Sequence, residues 1–72
     1  MTVLDTPEAV DAAKEQIEAF AEDWLTGEPV DWDAFTARFE QYTGLELPGS
    51  YSHPAMKRFQ SIVRTVNREL RD

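Results

Sequence analysis

Three stretches of the chain repeat apolar residues at helical spacing. Val10, Ala13, Ile17, Phe20 and Trp24 follow one another at intervals of three, four, three and four, the pattern of a helix with one apolar stripe. Thr6 offers a capping hydroxyl, Pro7 occupies a first helical position where no N–H is needed, and Glu8 lies in the first turn. Gly27 and Pro29 end the run. The spacing predicts a helix over about 7–26.

Trp32, Phe35, Phe39 and Tyr42 form a second stripe, with Asp31 as its cap and Gly44 as its left-handed terminator, predicting a helix over 32–43. The third stripe holds Met56, Phe59, Ile62, Val63, Val66 and Leu70. It predicts a helix over 54–70, capped by Ser52 or His53, with Arg64, Arg68 and Arg71 near its negative end. Between the second and third stripes, Leu45-Glu46-Leu47 alternates briefly like a strand until Pro48-Gly49 interrupts it. This segment, 44–52, is read as an ordered loop whose leucines cover one end of the core. The fold class expected is all-α, a small three-helix bundle, with residues 1–72 as a single helical domain.

Composition narrows the field. The chain has no cysteine, which removes disulfides, thiolate metal sites and cysteine nucleophiles. Its first residues lack the basic and apolar regions of a secretory signal, and no apolar run is long enough to span a bilayer. The cytoplasm is therefore the expected location, without a membrane association. The net charge of −7 disfavours direct binding of nucleic acid. The charge is also unevenly spread. Residues 1–52 carry twelve acids and two bases, a net −10, whereas residues 53–72 carry five bases and two acids, a net +3.

Catalytic chemistry finds little to work with. His53 is the only histidine and precedes Pro54, which suits a cap or turn residue. Asp31-Trp32-Asp33 opens like an oxygen-ligand loop, but Ala34-Phe35-Thr36 supplies neither the glycine nor the later carboxylate of a calcium site. Gly27, Gly44 and Gly49 are isolated, so no phosphate-cradling loop is encoded. No cofactor, no metal and no enzymatic activity are expected.

The remaining pattern is acidic. Glu8, Asp11, Glu15, Glu18 and Glu22 repeat at three, four, three and four, displaced by two residues from the first apolar stripe. At about 100° per residue this places them on the opposite face, as a ridge about 20 Å long. Asp11/Glu15 and Glu18/Glu22 are like charges one turn apart, each pair costing a few tenths of a kcal/mol, or about 0.3. Lys14 alone lies close in sequence. Such a ridge is either the solvated face of an amphipathic helix or a surface that meets a basic partner. Lys57, Arg64, Arg68 and Arg71 line the corresponding face of the third helix, where they can neutralise the ridge within the bundle or bind a second copy.

Phe20, Phe35, Phe39 and Phe59 are expected in the core. Trp24 and Trp32 flank the first interhelical turn, where tryptophan serves as an interface anchor. The function expected is a non-enzymatic protein-binding module. Its partner would be a larger protein with a basic surface, engaged as by a small acidic inhibitor or nucleic-acid mimic of phage or mobile-element type. The partner-binding residues expected are Glu8, Asp11, Glu15, Glu18, Glu22, Trp24 and Trp32. The alternative is a self-assembling, homodimeric helical protein.

Overall fold

The computed structural model describes residues 3–71. These residues are all-α, with four helices, three of which are seven residues or longer. They are α1 (Pro7–Ala12), α2 (Lys14–Trp24), α3 (Trp32–Thr43) and α4 (Pro54–Arg71). The helix expected over 7–26 is thus two helices, and it stops at Trp24 rather than two residues later. The expectation of three helices is corrected accordingly.

The N-terminal cap forms as its residues dictate, with Ala9 N–H donating to the Thr6 hydroxyl at 3.1 Å. The break comes at Ala13, whose φ of −99° and ψ of 12° leave the helical region. Its N–H is shared between the carbonyls of Ala9 and Val10, at 3.2 and 3.0 Å. The helix resumes when Ile17 N–H donates to Ala13 O at 3.0 Å. Ala12, Ala13 and Lys14 are all good helix formers, so local propensity does not cause the break. Both α1 and α2 pack along α4, and a bend between them lets two short segments follow one longer helix.

At the far end Leu25 is extended, and Gly27 turns the chain with φ of 87°, a conformation that favours glycine. Asn67 of α4 holds this turn from both sides. Its Oδ1 accepts from Gly27 N–H, and its Nδ2 donates to Glu28 O, each at 2.9 Å. Asp11, in the first part of the α1–α2 arm, meets Arg58 in the first part of α4, and Gly27, just past α2, meets Asn67 near the end of α4. The α1–α2 arm and α4 therefore run in the same direction.

α3 begins at its Asp31 cap and ends at a left-handed Gly44, as the sequence predicts. Phe35 and Phe39 are fully buried, and their rings meet Phe20 of α2 at 5.2 and 5.6 Å and Phe59 of α4 at 5.8 and 5.1 Å. No Cα of α3 comes within 8 Å of one in α4. Phenylalanine rings fill that space, so the rings themselves set the distance between the two helices.

The segment after α3 doubles back along it. Leu47 N–H donates to Glu40 Oε2 at 2.8 Å, and the Tyr51 hydroxyl donates to Asp33 Oδ1. Leu45 and Leu47 pack against the core, as expected of an ordered loop. One element was not foreseen. Val3 and Glu46 form an isolated parallel bridge, with Leu4 N–H donating to Glu46 O at 2.8 Å, and Leu4 is a buried core residue. Two expected core positions are instead open to solvent: Tyr42 is 75% exposed and Leu70 43%.

Candidate functional site

The acidic face survives the break in its helix. Val10 on α1 and Ile17 and Ala21 on α2 are fully buried, while Glu8, Asp11, Glu15 and Glu22 are exposed and Glu18 is half-buried. The buried and acidic faces therefore stay in phase across Ala13. Among the described residues, four of the five acids have no ion-pair partner within 4 Å. The exception is Asp11, whose Oδ1 lies 2.6 Å from Arg58 Nε, and this is the only such pair among the described residues. Both side chains are 40% or more exposed, so the pair contributes less than about 1 kcal/mol. Its effect on the ridge is geometric, because Arg58 draws one acid toward α4.

Two more cations of the chain are used within the fold. The Arg64 guanidinium lies over the Trp32 ring, 5.4 Å from its centre, and that of Arg38 lies over Trp24 at 5.7 Å. A third, Arg71, runs its side chain past Gly27, where an added Cβ would come within 2.7 Å of Arg71 Cγ. The basic face of α4 is thus partly spent on packing, and only Arg58 is spent on an acid of the ridge.

The two tryptophans have different surroundings. Trp32 is half-buried, edge-on to Phe35 at 6.2 Å and covered by Arg64 from α4. Trp24 is 44% exposed and stacks on Phe20 with ring centres 6.1 Å apart and planes 9° from parallel. Tyr42 of α3 meets the same phenylalanine at 5.5 Å. Phe20 thereby floors a shallow aromatic cleft between α2 and α3. One part, of about 320 Å³, is lined by Phe20, Trp24, Arg38, Gln41 and Tyr42. An adjoining part of similar volume reaches Asp23 and Gln16.

The structure thus gathers Glu8, Glu15, Glu18 and Glu22 on one face and turns Asp11 toward α4. It places Trp24 in the cleft and separates Trp32 from it. Sequence reasoning missed Tyr42, whose spacing matched the core stripe of α3. Its position in the last turn, with a polar tip, was the available signal.

Among the described residues, Tyr51 is the one group whose titration is displaced. The hydrogen bond to Asp33, followed by desolvation and the Asp33 charge, raises its phenol above the usual tyrosine range. Among the described residues, no group of three or more His, Asp or Glu side chains is arranged to hold a metal ion. No helix among them is long and apolar enough to cross a membrane. Compared with models of protein families, with curated proteins and with solved structures, the chain finds no match in any of the three.

Proposed function

We propose that this chain is a non-enzymatic protein-binding module that docks on a basic surface of a larger cytoplasmic protein, in the manner of a small acidic inhibitor seated in a nucleic-acid site. The observation that carries the reading is the ridge itself: Glu8, Glu15, Glu18 and Glu22 have no ion-pair partner within 4 Å among the described residues. Keeping like charges together costs some stability, and a basic partner would recover that cost. Binding through such a face is steered by charge and weakened by salt.

The test is capture of a partner from the native host, at low and at high salt. Wild type would be compared with the double variant Glu15→Lys/Glu18→Lys. The partner is expected to be held by wild type at low salt, released at high salt, and lost from the double variant. Retention in all three conditions would overturn the reading.

The aromatic cleft supports a second reading, self-association through Trp24 and Tyr42, both of which are exposed. Light scattering behind a sizing column tests it directly. A salt-insensitive dimer that Tyr42→Ala splits into monomers supports it, and a monomer across micromolar concentrations excludes it.

A further inference from the structure

α4 opens on an unusual cap. Lys57 N–H donates to the His53 carbonyl at 2.9 Å, which makes His53 the residue just outside the first turn, with Pro54 at the first helical position. Proline has no N–H, so the first donor needing a partner is that of Ala55. It donates to Nδ1 of the His53 ring at 3.1 Å. Ala55 is fully buried, so water has no ready access to replace the ring. The His53 N–H in turn donates to Ser50 O at 3.2 Å, tying the preceding loop to the same residue.

An imidazole nitrogen accepts a hydrogen bond only while it carries no proton. We propose that His53 is a proton-sensitive clasp: the neutral ring, protonated at Nε2, holds the first turn of α4 closed, and a proton on Nδ1 releases it. Protonation removes the acceptor and also places a positive charge at the positive end of the helix dipole. Both effects act in the same direction. The order this cap supplies is complete while the ring is neutral and is lost as the ring takes up a second proton.

Charged groups on the elements packed around this end of α4 include Lys57 and Arg58 on the helix itself, Glu8 and Asp11 of α1, and Asp33 and Glu40 of α3. Arg58 engages Asp11, Tyr51 engages Asp33, and Glu40 accepts from Leu47 N–H. None of them bonds to the His53 ring. The caps of α1 and α3 are the hydroxyl of Thr6 and the carboxylate of Asp31, and neither uses an imidazole. The sensitivity is therefore confined to α4.

His53→Asn provides the control, because asparagine caps a helix through a side-chain oxygen that does not titrate. Amide exchange at Ala55 and thermal midpoints would be measured at about pH 7.5 and about pH 5.5 for wild type, His53→Asn and His53→Ala. On acidification the first turn of wild type is expected to open roughly fivefold more often, the effect of losing a typical cap. Its midpoint is expected to fall by about 4–8 °C, while His53→Asn shows neither change. His53→Ala at the higher pH should resemble acidified wild type. If the alanine variant does not fold, the comparison of wild type with His53→Asn decides. Nitrogen chemical shifts of the ring should report a proton on Nε2 at the higher pH. A proton on Nδ1 there, or an equal acid response in His53→Asn, would overturn the proposal.

Discussion

Individual side chains in this fold work mainly by satisfying backbone groups. Asn67 is the clearest case, since its single amide serves a donor at Gly27 and an acceptor at Glu28. Replacing it by alanine leaves both without a protein partner at a partly buried turn. Asn67→Ala is expected to lower stability by about 1–2 kcal/mol, read from the urea midpoint. Tyr51 makes a different prediction. Its phenol is raised in the folded state, so the contact with Asp33 contributes while the phenol is neutral and is lost as pH rises through the folded-state value. In a Tyr42→Phe background, where Tyr51 is the sole tyrosine, its ultraviolet titration should fall at higher pH in the native than in the urea-unfolded chain. Asp33→Asn should narrow that gap. A titration at the same pH in both states would contradict the hydrogen bond as its cause.

Helices and turns show how far sequence reasoning reaches. The caps at Thr6 and Asp31, the stop at Gly44 and the apolar stripe of α4 from Met56 to Val66 are local signals, and each formed where its residues placed it. The break at Ala13 was not legible, because Ala12, Ala13 and Lys14 are all good helix formers and nothing local marks it, while both segments pack along α4. Leu4 was missed for a related reason: it belongs to no periodic run and reaches the core through a bridge to Glu46, distant in sequence. For the candidate site, the acidic spacing was visible from the start. That Asp11 would be drawn off by Arg58, and that Tyr42 would join Trp24 at a cleft, depended on how the helices pack. The turn after α2 can be probed separately. Gly27→Ala puts a Cβ on a left-handed backbone and against the Arg71 side chain, so a loss of about 1–2 kcal/mol is expected in thermal melts. The Arg71 stem can move aside, and most of the loss should persist in Gly27→Ala/Arg71→Ala.

Across the whole molecule, repulsion outweighs pairing. The net charge is −7 and the described residues hold one ion pair. Salt should therefore stabilise the fold, and the urea midpoint is expected to rise between about 10 and about 150 mM sodium chloride, as like charges are screened. A falling midpoint would mean that attractive pairs dominate. The core has little reserve at this size. Phe39 is fully buried and touches rings of both α2 and α4. Phe39→Ala, at about 3–5 kcal/mol, is expected to abolish cooperative melting, and circular dichroism would reveal this.

The parallel course of the α1–α2 arm and α4 also determines when the fold can close. Six core side chains, Ala55, Met56, Phe59, Ile62, Val63 and Val66, belong to α4, and the surfaces that receive them lie far earlier in the sequence. As the chain emerges during synthesis, α1, α2 and α3 precede the helix against which their apolar faces pack. Such distant pairings must meet the entropy of loop closure before they gain any burial. Until α4 arrives, Phe35 and Phe39 lack the ring of Phe59, and the nascent chain presents an aromatic surface to its surroundings.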